Sequence, residues 1–176
     1  MMTEQERIQV FTEEIEPMLP FKAAEWLAKR GFFRAPASTK YHGNYEGGLF
    51  DHCYNVTLAL IALTQHNKLT WKREASPWII GFFHDLCKVD QYAPGEDENY
   101  TFVKETLLKG HGDKSVMMLS ELTTLTEEEI MCIRYHMGAF CEKEEWGDYT
   151  RAIHKYPNVL WTHMADMLAA HVVEVD

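Results

Sequence analysis

The chain has 176 residues, 46% hydrophobic, 12% aromatic and 25% charged, the composition of one globular domain rather than a disordered or fibrous chain. Its 17 Lys and Arg against 27 Asp and Glu leave a net charge of -10, which repels the phosphate backbone and disfavours binding of duplex DNA. A folded chain of this size removes roughly 70% of its unfolded surface from water, so it needs no structural metal, and any metal is expected to be functional.

Helical spacing recurs along the chain while period-2 alternation is nearly absent, which predicts an all-α bundle of seven or eight helices. Thr3 with Glu6, and Thr126 with Glu129, match the capping box and mark two helix starts. A second helix is expected from Pro20 to Arg30, ended by Gly31. The stretch 31–48 reads as loop, and a long helix follows from about Leu49 to Gln65, then another from about Pro77 to Cys87. Tyr92 and Tyr100-Thr101-Phe102-Val103 flank a Pro-Gly and a run of acids, the pattern of a short hairpin within 91–103. Further helices are expected at His111–Leu122, Thr126–Met137 and Pro157–Val172, whereas Glu142–Asp148 reads as a solvated acidic loop. The whole chain, 1–176, reads as one domain, with a core of about 41–172 and N-terminal helices 1–31 packed on it.

Cys53, Cys87, Cys132 and Cys141 form no C-x-x-C pair, which suits a reducing, cytoplasmic compartment. The first ten residues carry Glu4, Glu6 and Arg7 and do not read as a signal peptide, and no stretch reaches the roughly 18 apolar residues of a membrane span. No membrane association is expected. Oligomeric state stays open, since Trp26, Phe32 and Phe33 suit a dimer surface as well as a core.

The positions of the histidines matter more than their number. His52 shares a helix face with Leu49, Val56, Leu60 and Leu63, and His84 and His136 each follow an apolar turn. Asp166 lies among small and apolar residues, where a lone carboxylate is costly. Any one of these histidines has a plain alternative as a core imidazole bonded to backbone, and Asp166 as one half of a buried salt bridge. Taken together, imidazoles and carboxylates on inward faces of separate helices are the ligand set of a divalent metal held between helices.

The order His52, His84-Asp85 and Asp166, with Gly47-Gly48-Leu49-Phe50-Asp51-His52 and His84-Asp85-Leu86-Cys87-Lys88, resembles the HD-domain superfamily of metal-dependent phosphohydrolases over about Tyr41 to Ala170. The resemblance implies that His52, His84, Asp85 and Asp166 ligate a first metal, and that His111 and His136 add a second with Asp85 bridging. The cofactor would be one or two divalent ions among Mn, Fe, Co, Ni and Mg, activating a hydroxide and neutralising phosphoryl charge. His111 keeps the alternative of a loop histidine or helix cap, and His136 that of a core imidazole. Asp85 would bridge and orient water, and Lys88 would bind a phosphate oxygen, although a surface lysine at a helix end explains Lys88 equally well. Lys109, Lys114, Arg134 and His42 sit beside ligand segments and are candidates for holding substrate, with solvated side chains as the equal alternative.

Two departures qualify the resemblance. The family's glycine before the lysine is Cys87 here, and the Gly-Tyr-Pro signature of the cyclic-di-GMP-cleaving branch does not follow His136. The expected partner is therefore a small phosphorylated molecule, a nucleotide or a short single-stranded oligonucleotide end. Two competing readings use the same ligands: an HD-fold di-iron oxygenase acting on a small organic substrate, and a non-catalytic nucleotide-binding regulatory module.

Overall fold

In the computed structural model, which describes residues 1–95, 100–108 and 110–174, Thr3 opens α1 (Glu4–Val10) through a complete capping box, its Oγ1 accepting from Glu6 N–H and its own N–H donating to Glu6. The helix continues as a π turn over Phe11–Ile15 and a 3-10 turn over Glu16–Met18. The second helix starts later than the proline rule predicts: α2 spans Ala24–Lys29, and Pro20 lies outside it. Its start is fixed by Glu16, whose Oε1 accepts from Ala23 N–H at 2.8 Å and Ala24 N–H at 3.0 Å, so a carboxylate seven residues upstream supplies the cap.

The long helix α3 (Gly48–Asn67) begins after Gly47, whose φ of +85° suits only glycine and whose absent Cβ leaves room for the Arg7 guanidinium. Buried Arg7 bonds Asp51 at 3.2 Å, tying α1 to the first turn of α3, where His52 lies. Helix α4 (Ser76–Phe83) crosses α3 so closely at Gly81 that a Cβ there would lie 2.7 Å from the Thr57 Cα. The helix expected to reach Cys87 stops at Phe83. His84 is its cap, Asp85 leaves helical geometry at φ -102°, ψ 18°, and a 3-10 turn covers Leu86–Asp90.

Strands β1 (Tyr92–Pro94) and β2 (Tyr100–Phe102) form the predicted hairpin, antiparallel with Tyr92 opposite Phe102, while the acids Glu96–Glu98 lie outside the described residues. Helices α5 (Gly112–Leu119) and α6 (Glu127–Arg134) follow, the latter with the second capping box, Thr126 with Glu129. The acidic segment contains structure that the charge run concealed: a 3-10 turn at Lys143–Glu145 leads into α7 (Trp146–Lys155). Tyr149, Ala152 and Ile153 at helical spacing place one face of α7 against the core. Helix α8 (Asn158–Leu168) ends in a π turn over Ala169–Val173.

The described residues thus hold eight α-helices and one two-stranded sheet. Helix α3 is central, against α4 and α8, and α6 packs on α4, α5 and α8. Phe32 and Phe33 are fully buried and belong to the core, with Phe11, Phe50 and Phe82 around them at ring separations of 4.9–5.8 Å. Each such ring contributes roughly 1.5–3 kcal/mol by leaving water. Trp26 is half-buried with the Arg30 guanidinium 3.6 Å over its ring. No helix among the described residues is long and apolar enough to cross a membrane.

Candidate metal centre

All six candidate ligands converge. His52 comes from the first turn of α3, His84 and Asp85 from the break after α4, His111 from the residue before α5, His136 from the turn after α6, and Asp166 from α8. The four imidazoles form a chain, with ring centroids 5.3 Å apart for His52 and His84, 4.8 Å for His84 and His136, and 4.9 Å for His111 and His136. Asp85 divides them. Its Oδ2 lies 3.5 Å from both His52 Nε2 and His84 Nε2, whereas its Oδ1 lies 2.9 Å from His111 Nε2 and 3.5 Å from His136 Nε2. Asp166 Oδ1 completes the first half, 3.2 Å from His52 Nε2 and 3.9 Å from His84 Nε2.

The far nitrogens explain why the rings point inward. His84 Nδ1 is 2.8 Å from the Gly81 carbonyl and His136 Nδ1 2.7 Å from the Ile133 carbonyl, so each donates Nδ1–H and presents a bare Nε2 lone pair to the centre. His84 Nε2 and His136 Nε2 are buried and have no hydrogen-bond partner among the described residues. An orphaned buried acceptor costs about 1–3 kcal/mol, which a cation at the centre would relieve. The ligand atoms of His52, His84 and Asp85, and those of Asp85, His111 and His136, lie within 4.8 Å of one another, and so do those of His84, His136 and Asp166. Buried imidazole nitrogen and carboxylate oxygen in this number suit a divalent first-row ion, so the residues fit a metal.

Electrostatics point the same way. Burial opposes charge on Asp85, but Lys88, His84 and His111 hold its carboxyl well below the usual range. Asp166 is likewise pulled down against burial, above all by its bond from His52. Burial disfavours the imidazolium of His52, yet Asp166, Glu174 and Asp85 outweigh it and raise the pKa to about 9. Carboxylates kept ionised in a buried site call for positive charge. Burial pushes the Cys87 thiol up to about 12, so it is a neutral side chain and no nucleophile.

The centre opens into a cavity of about 750 Å³ lined on its apolar side by Tyr41, Tyr92, Met137, Phe140 and Met167. Lys88 lines it, charged and 2.6 Å from Asp85 Oδ2. His42 lines it too, its ring centroid 4.7 Å from that of His52, and burial lowers its pKa. Arg134 reaches the wall but is held between Asp113 and Glu145. Lys114 is not brought to the cavity: it is buried and pairs with Asp90. A buried lysine in an ion pair is positioned for the core, unlike the solvated or substrate-holding side chain its sequence position suggests. Lys109 lies outside the described residues.

Sequence reasoning missed Glu174, whose Oε1 and Oε2 are each 3.2 Å from His52 Nδ1, with Asn55 Nδ2 donating to Oε1 at 3.1 Å. Nothing local marks it, since it reaches α3 only through the π turn after α8. His163 Nδ1 lies 2.8 Å from the His136 carbonyl. His171 also lines the cavity. Comparisons with family models, with curated proteins and with solved structures give no match.

Proposed function

We propose that the protein is a phosphohydrolase of the HD-domain type that uses one or two divalent ions to cleave a phosphoester of a nucleotide or of a short single-stranded oligonucleotide end. The observation that carries this reading is the division of Asp85 between two histidine pairs beside a half-buried, charged Lys88 that lines a cavity. His52, His84, Asp85 and Asp166 would hold one ion, and Asp85, His111 and His136 a second. When bound, such ions supply a water nucleophile at neutral pH and neutralise phosphoryl charge.

The chain's own residues supply the rest. Ionised Asp85 orients the attacking water, and the Lys88 ammonium binds a phosphoryl oxygen as charge builds on it. Tyr41, Tyr92 and Phe140 offer flat apolar surface to a base or sugar. Asp113, Glu142 and Glu145 at the rim, with the net charge of -10, disfavour a duplex. Four free cysteines accord with a reducing, cytoplasmic setting.

The test is elemental analysis of protein purified without added metal or chelator, paired with hydrolysis assays on nucleoside monophosphates and a short single-stranded oligonucleotide across divalent ions. Bound manganese, cobalt or nickel and phosphoester cleavage that disappears in His84→Ala and Asp85→Ala are expected. Cleavage at the wild-type rate in those variants would overturn the reading. Bound iron with oxygen consumption and no phosphoester cleavage would replace it with an oxygenase, and tight nucleotide binding without turnover with a regulatory module.

A further inference from the structure

Three kinds of support stand behind the four inward histidines. His84 and His136 lean on backbone carbonyls three residues upstream, which are fixed by the helices they belong to. His52 leans on the Glu174 carboxylate, itself anchored by Asn55, and is 1% exposed. His111 leans on a sulfur: its Nδ1 lies 3.1 Å from Cys87 Sγ, whose S–H faces Gln91 Oε1 at 3.9 Å. Its side chain is 28% exposed, and it follows Gly110 at φ +88° without capping α5. The two halves divided by Asp85 are therefore built to different standards.

A carboxylate behind a ligating imidazole fixes the ring and raises the donor strength of its inner nitrogen, whereas a thiol sulfur is a weak acceptor that does little of either. We infer that the centre binds its two ions unequally, with the ion at His52, His84, Asp85 and Asp166 tight and the ion at Asp85, His111 and His136 exchangeable, and that Glu174 and Cys87 are the positioning residues that set the difference. This rests on reading the cluster as a metal centre. The pocket would be half-loaded when divalent ions are scarce and fully loaded when they are plentiful, so the state of the floor facing the cavity follows the supply of the ion. The position that the resembled family gives to glycine would thus act here through His111, as a weak support that keeps the second ion exchangeable.

The full-length chain, stripped of metal and checked for folding by circular dichroism, is titrated with Mn²⁺ by calorimetry. A Co²⁺ titration followed by its visible absorption runs beside it. Two steps separated by at least about tenfold in Kd are expected, and His111→Ala should remove the weaker one alone. Glu174→Gln should weaken the tighter step by about 10–100-fold and leave the weaker one in place. Cys87→Ala should weaken only the weaker step. Two indistinguishable steps, a single step unchanged by His111→Ala, or a tighter step that responds to Cys87 and ignores Glu174 would overturn the inference while leaving a metal centre. Binding of neither ion by the folded chain would overturn the metal reading, and the proposed function with it.

Discussion

Lys88 Nζ stands 2.6 Å from Asp85 Oδ2, the carboxylate oxygen that also faces His52 and His84. One lysine, a turn after the break in α4, therefore both keeps the central carboxylate ionised and holds its own charge, because each group's pKa is shifted by the other. The two roles separate experimentally. In Lys88→Met the six metal-facing residues are intact, so metal content measured by elemental analysis should be retained. Turnover of a nucleoside monophosphate should fall about 10²–10³-fold in kcat/KM, the usual cost of removing one preorganised charge from a transition state. Retained turnover would confine Lys88 to supporting Asp85.

Gly81 reports how tightly α3 and α4 are joined. Replacing a mid-helix glycine by alanine ordinarily gains about 1 kcal/mol. Here the new Cβ would meet the Thr57 Cα at 2.7 Å, backbone that cannot swing aside, and overpacking of that kind costs about 1–3 kcal/mol or more. Gly81→Ala is expected to be less stable by about 1–2 kcal/mol in urea unfolding. Metal affinity should drop as well, because the Gly81 carbonyl that orients His84 has to move with the helix.

Glu16 links the start of α2 to pH. Burial resists its charge, but the N–H groups of Ala24 and Ala23 and the ammonium of Lys22 outweigh that and bring its pKa below the ordinary 4.5. A carboxylate with a lowered folded pKa contributes stability that is complete above the unfolded value and is lost as pH falls through the folded one. Glu16→Gln is accordingly expected to lose about 1 kcal/mol at pH 7 and to converge on the wild type as pH falls through the lowered folded pKa of Glu16, measured by thermal unfolding at neutral and strongly acidic pH. A gap that persists in acid would mean that the side chain acts through packing instead.

How much was legible in the sequence follows from the range of the interactions. His52 shows itself by the apolar residues on its own helix face, and the capping boxes are complete within four residues, so local pattern suffices for both. The hairpin too is written in adjacent turn chemistry. What escaped depends on partners distant in the chain. Glu16 starts α2 from across a turn, Lys114 is buried by Asp90 from 24 residues away, and Glu174 meets His52 across 122. Helix α7 was within reach: Tyr149, Ala152 and Ile153 carry the helical spacing, and only the dense run of acids before them argued for solvent.

The π turn at Ala169–Val173 makes length, more than composition, the quantity held fixed at this end of the chain. Glu174 N–H bonds the Ala169 carbonyl five residues back, at 3.0 Å, and this widened coil sets the direction in which the carboxylate leaves the helix. Deleting or inserting one residue there would turn Glu174 by about 100° about the helix axis and carry it away from His52. Val172 and Val173 are exposed, so their identities are free to drift, while the number of residues between Ala169 and Glu174 is not.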